Sequence, residues 1–191
     1  MCKAFIRVQS VVFALCAVQG LEASTIDLTP IPETYQVEGV TRKIVGFRTE
    51  DKPVLYSPPW KLNGAADEAT FTIDEPRSSA RIRRIPLKAP LNLEDEEAIK
   101  EWVVKSLPQG SDNISVETIE KNPVEIDGKP TIEVILTYGL YGLFQRQSVL
   151  LCQHTVKEET DLIVFELSCP PARFDALHRL LQKSLYSIMG F

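Results

Sequence analysis

His154 and His178 are the only histidines of the chain, and Cys152 and Cys169 are the only cysteines beyond residue 16. Cys152 and His154 stand two apart, so on a strand they share a face. Cys169 falls on a following strand and His178 on a later helix, which raises the chemistry of a Cys/His metal centre. Zinc needs four ligands at about 2.0–2.3 Å. A hairpin over 147–155 and 162–169, turning at 156–161, sets Cys152 near Phe165 and Cys169 near Ser148. The sulfurs then lie four residues apart along the strands, ~13 Å, beyond the reach of a disulfide. Two buried free thiols are expected, with no metal and no cofactor.

Other reactive patterns fare no better. There is no Gly-x-Ser-x-Gly elbow. Gly139-Leu-Tyr-Gly142 lacks the lysine and following helix of a phosphate loop; it reads as a bend between strands, or else as a tip on which Leu140 and Tyr141 are exposed for contact. Glu94 to Glu97 is explained by a helix start, where the dipole favours carboxylates. Trp60 and Trp102 read as packing residues, and Asn113-Ile-Ser115 is a glycosylation sequon. No catalytic residue is assigned. Against the acidic whole, Arg77, Arg81, Arg83, Arg84 and Lys88 gather within twelve residues. Arg81 and Arg83 share a face, so the strip is read as a solvated edge strand guarded by charge, with a site for an acidic partner as the alternative.

The elements that would position these residues follow from periodicity. Residues 24–44 hold Pro30 and Pro32 and little alternation, and read as an irregular leader, with a short strand from Lys43 to Arg48. Ala69 to Ile73 and Ala80 to Ile85 read as strands. A helix over 93–107 is capped by Asn92 and carries Ala98, Ile99, Trp102 and Val103 on one stripe. Asp127-Gly128 is a hairpin turn, followed by alternation from Ile132 to Tyr138. Strands over 147–155 and 162–169 are apolar on both faces, so both faces need cover. A closing helix over 172–188, with Phe174, Leu177, Leu181, Leu185 and Ile188 on its stripe, supplies one cover and the first helix the other. The fold class is α+β: an α/β/α sandwich with a mostly antiparallel sheet.

Lys3 and Arg7 precede an apolar run from Val8 to Val18, and Ala23 ends a more polar stretch, the order of a secretory signal over residues 1–23. The run is too short to span a bilayer, which takes ~20 residues. Cleavage at Ala23/Ser24 removes Lys3, Arg7 and Glu22, taking the net charge from −5 to near −6. That sign offers no general attraction to nucleic acid. The division expected is signal peptide 1–23, leader 24–44 and one domain 45–191.

Tyr56-Ser-Pro-Pro-Trp60, the strand around Phe71, the acidic helix, Ile126-Asp-Gly-Lys-Pro130, the Tyr-rich strand and the closing Ser184-Leu-Tyr-Ser-Ile188 follow one another in an order that resembles the PsbP-like, DcrB-like α/β/α sandwich superfamily. The resemblance covers residues 45–190. It implies a non-catalytic binding or assembly module of the cell envelope, periplasmic or secreted, with a protein partner and no shared site residues. The alternatives are a carrier of a small apolar ligand, with a cavity between sheet and C-terminal helix, and an enzyme whose site forms no local motif.

Overall fold

The structure is a computed structural model that describes residues 26–37, 39–50 and 52–191. The expected signal peptide, 1–23, lies outside the described residues. A seven-stranded, wholly antiparallel sheet forms the middle layer, in the order β4 (Lys61–Ala65), β5 (Glu68–Thr72), β6 (Ser79–Leu87), β10 (Glu159–Cys169), β9 (Leu143–Val156), β8 (Thr131–Leu140) and β7 (Asp112–Lys121). Two helices cover it, α1 (Glu96–Lys105) on one face and α2 (Pro171–Leu185) on the other. The α+β sandwich is as expected.

The doubly apolar central strands explain the two-sided cover. Successive side chains of a strand point to opposite faces. Val149, Leu151, Leu162 and Val164 therefore pack under Ile99 and Val103 of α1, with Ile132, Val134 and Leu136. Leu150, Cys152, Ile163 and Phe165 pack under Phe174, Leu177, Leu181 and Leu185 of α2. That second layer is filled by these side chains, each 7 % exposed or less, in the place where a carrier would need its cavity.

Three expectations are corrected. The leader is not irregular: β1 (Ile26–Val37) and β2 (Val40–Thr49) form an antiparallel hairpin, and β3 (Val54–Tyr56) adds to β2. This small sheet lies on the α2 side, sending Ile26, Leu28, Phe47, Val54 and Tyr56 into the same core as α2. Pro30 and Pro32 are tolerated because β1 is an edge of the small sheet, and the ladder is interrupted between Asp27 and Ile31, across Pro30. The cap of α1 is Asp95, whose Oδ1 accepts from the Ala98 N–H at 3.1 Å, while Asn92 Oδ1 accepts from the Glu94 N–H in the preceding turn. The β9–β10 register is displaced by two residues: Cys152 faces Ile163 and Cys169 faces Arg146. Val156 pairs with Glu159, so the turn is only Lys157-Glu158, with Lys157 at φ 55° in place of a glycine. An even displacement keeps every side chain on its face.

Candidate functional site

β6 is not an edge strand. It lies between β5 and β10, and its arginines are divided between the faces of the sheet. Arg81 sits opposite Glu166 of β10 on the α1 side. The Glu166 side chain is 4 % exposed. It accepts from Arg83 Nη2 at 2.8 Å and Arg83 Nε at 3.0 Å, and from Arg81 Nε. Arg81 also approaches Glu68 on β5 at 3.5 Å. Arg84, on the other face, donates to Asp67 at 2.9 Å and stands 3.4 Å from Asp161. Burial works against the Arg84 charge, but the carboxylates of Asp67 and Asp161 outweigh it and hold the guanidinium above its ordinary range. The expected open positive strip is thus a set of internal ion pairs, with Arg77 and Lys88 exposed at its ends.

Beside Arg81 and Glu166 lies a polar pocket of about 330 Å³. Tyr138 Oη and Ser168 Oγ, which share a 2.9 Å hydrogen bond, line it together with Gln147 and Ser106. Its charged groups are paired: Arg81 with Glu68 and Glu166, and Glu166 with Arg83 outside the lining as well. With both Glu166 oxygens occupied by arginine donors, the carboxylate is poorly placed to take a proton from a substrate.

The histidines and thiols do not converge. His178 on α2 brings Nε2 within 2.6 Å of Glu133 Oε1 on β8, and Glu133 also accepts from Ser148 Oγ and, at 3.2 Å, from Gln182 Nε2. The His178 ring stacks on Phe174, whose own ring lies 4.3 Å from the Arg146 guanidinium. These contacts fasten α2 to the sheet. His154 packs edge-on against Phe191 at the chain end. Cys152 and Cys169 are free and buried, six residues apart along the β9 register. Burial pushes the Cys152 thiol up to about 12 and the Cys169 thiol up to about 11, so both are protonated at neutral pH. Among the described residues no three His, Cys, Asp or Glu side chains stand together as a metal site.

The remaining feature is the β8–β9 hairpin. Leu140 pairs with Leu143, leaving Tyr141-Gly142 as a two-residue turn with φ of 51° and 75°. Both central residues have positive φ, the type I′ pattern for which Asn-Gly is the usual sequence. A tyrosine there is strained by about 1 kcal/mol or more. Its side chain packs on little, being 88 % exposed. Phe144 is 62 % exposed and Leu143 45 %, while Leu140 is only half-exposed and leans on the α1-side core. Ile114, in the bulged start of the neighbouring β7, is 40 % exposed. Asp112 Oδ1 occupies the space where a Cβ on residue 139 would sit. Of the two tip residues expected, Tyr141 is the exposed one. Leu143, Phe144 and Ile114 were missed, although Tyr-Gly-Leu-Phe, three large apolar residues around a turn glycine, was a readable signal.

No family model matches the chain, and no curated protein matches it. Solved structures do. A protein of unknown function from Pseudomonas aeruginosa, PA94, superposes at a TM-score of 0.50 with 11 % identity, covering 84 % of this chain and 97 % of its own. LpqN of Mycobacterium tuberculosis, described as involved in cell envelope biogenesis, superposes at 0.50 with 9 % identity, over 83 % and 88 %. Cyanobacterial PsbP (CyanoP) of Synechocystis matches at 0.47 with 15 % identity, over 93 % and 99 %. At these identities what is shared with the first two is the fold alone, an α+β sandwich with a mostly antiparallel sheet.

Proposed function

We propose that this chain is an exported, non-catalytic binding or assembly protein of the cell envelope that docks through the tip of its β8–β9 hairpin. The observation that carries the reading is Tyr141: a bulky aromatic residue held at positive φ and 88 % exposed, flanked by Leu143 and Phe144. Backbone strain at a surface position without compensating packing points to a role outside the folded chain. Exposed aromatic side chains are the residues that anchor protein interfaces. LpqN, which shares the fold, is described by its involvement in envelope biogenesis, and that agrees with the reading. The non-catalytic part is supported by the occupied oxygens of Glu166, the His178–Glu133 bond and the protonated thiols.

The test is affinity isolation from the organism's own envelope extract, comparing the wild-type chain with a Tyr141→Asn/Phe144→Ser double variant. At least one protein is expected to be retained by the first and lost with the second. Identical retention by both chains would remove the tip from the function.

A further inference from the structure

Three neighbouring strands change character along the α1 face of the sheet. On that face β10 runs Leu162, Val164, then Glu166 and Ser168. β9 runs Leu151, Val149, then Gln147 and Gln145, and β6 runs Ile85, then Arg83 and Arg81. The apolar members lie under Ile99 and Val103 of α1. That helix has only ten residues, about 15 Å. Ser106 and Pro108, just past its end, rim the pocket of about 330 Å³ whose wall holds the polar members. Those side chains are not a solvated surface: Gln147 is 6 % exposed, and Tyr138 and Glu166 are buried.

One of them lacks a partner. Gln147 Oε1 is buried and accepts no hydrogen bond. A buried amide oxygen in that state is costly, and folded chains satisfy nearly all of theirs. Gln147 lines the pocket, so a ligand seated there can supply the missing donor. The rest of the lining sets the chemistry of that ligand. Arg81, Glu68 and Glu166 are already paired, so a charged ligand would have to displace one of them or bury an unbalanced charge. Tyr138 and Ser168 share one hydrogen bond between two hydroxyls, which leaves one hydroxyl proton to donate. Ser106 Oγ spends its proton on the Val103 carbonyl at 2.8 Å and can only accept.

Donors and acceptors are thus mixed around the pocket with no charge to spare. A hydroxyl group answers that pattern, because it donates and accepts at one atom and is neutral. The volume stands at the low end of ligand pockets, roughly 300–1,000 Å³, and suits one small ring. We infer that this pocket binds a sugar, as a free molecule or as the end of a glycan, with Gln147 Oε1 accepting from one of its hydroxyls. The site stands apart from the docking tip, and either can fail without the other.

NMR titration of the isotope-labelled chain tests the inference. The probes are D-glucose, D-galactose, D-mannose and N-acetyl-D-glucosamine, each also as its methyl glycoside. They are added to ~20 mM, about twentyfold above a dissociation constant on the order of 1 mM. The Gln147 side-chain amide and the backbone amides of Thr70, Tyr138 and Ser168 are expected to shift and saturate with at least one sugar. A methyl glycoside that binds as well as its free sugar identifies the end of a glycan, and one that does not identifies the free sugar. Sodium phosphate at the same concentration should leave these resonances in place. Gln147→Met keeps the length of the side chain and removes the amide. It is expected to weaken binding at least tenfold and to raise the urea midpoint, because an unpaired buried oxygen has gone. A lower midpoint would show that the oxygen is satisfied within the chain and would overturn the inference. So would shifts that fail to saturate with every sugar, a response to phosphate instead, or unchanged binding by Gln147→Met. Should that variant not fold, the wild-type titration decides alone.

Discussion

Among single residues, the arginines show how charge can mislead in a sequence. Arg81, Arg83 and Arg84 read as a positive surface because their partners, Glu166, Asp161 and Glu68 on other strands and Asp67 in the β4–β5 turn, lend nothing to the local pattern. Breaking a buried pair from one side strands the other charge, which costs far more than an exposed pair is worth. Arg83→Gln is expected to lower unfolding free energy by about 2 kcal/mol, since Arg81 still contacts Glu166. Glu166→Gln added to it should restore part of that loss, as read from urea denaturation of the two single variants and the double. A cost for Arg83→Gln no larger than that of an exposed substitution would show that the pair is solvated. The thiols give a pH prediction. Cys152 rises from an ordinary value near 9 to about 12, and Cys169 to about 11, both through burial. Burial likewise raises the Tyr56 hydroxyl. A group whose folded pKa is raised contributes its stability fully below the unfolded pKa and loses it as pH climbs toward the folded value. Stability is therefore expected to fall from about pH 9 upward. The double variant Cys152→Ala/Cys169→Ala should show a shallower fall, measured as denaturation midpoint against pH. The same slope in both proteins would remove the thiols as its cause.

At the scale of elements, the strands and helices with uninterrupted periodicity were legible, and the errors fall where local chemistry departs from the usual residue. Two prolines concealed β1, because an edge strand tolerates them and a central one does not. Lys157-Glu158 concealed a tight turn that glycine would have announced, and the thiol register moved by two. Asn92 and Asp95 are both good caps, and the sequence does not say which starts the helix. The tip concealed itself in the same manner, since Tyr141 occupies a position that asparagine would mark as a turn. That gives a prediction specific to the hairpin. Tyr141→Asn is expected to stabilise the chain by about 1 kcal/mol, because asparagine accepts positive φ more readily and little packing is lost. A rise in melting temperature together with lost docking would separate function from folding at one residue. A fall in melting temperature would mean that the tyrosine is held in place for stability.

Across the whole molecule, the small sheet changes what the N-terminal segment is for. An irregular leader would be dispensable, whereas β1 sends Ile26 and Leu28, each 1 % exposed, into the core shared with α2. The Leu28 N–H donates to the Ala66 carbonyl at 3.0 Å, tying β1 to the turn between β4 and β5. Among the described residues no helix is long and apolar enough to cross a membrane. If the chain is exported as proposed, the signal cleavage site is bounded on both sides. Processing before residue 20 would leave apolar signal residues attached, and processing beyond Ile26 would remove a core side chain. Burying one such side chain is worth about 1.5–3 kcal/mol, a large part of the stability of a marginally stable domain. The intact mass of exported protein is therefore expected to place the N-terminus at Ser24 or within two residues of it. A chain engineered to begin at Thr29, lacking both Ile26 and Leu28, should unfold at distinctly lower urea than one beginning at Ser24. Equal midpoints would mean that the first strand closes the core without supporting it, and a secreted chain that still carries residues 1–20 would end the export reading itself.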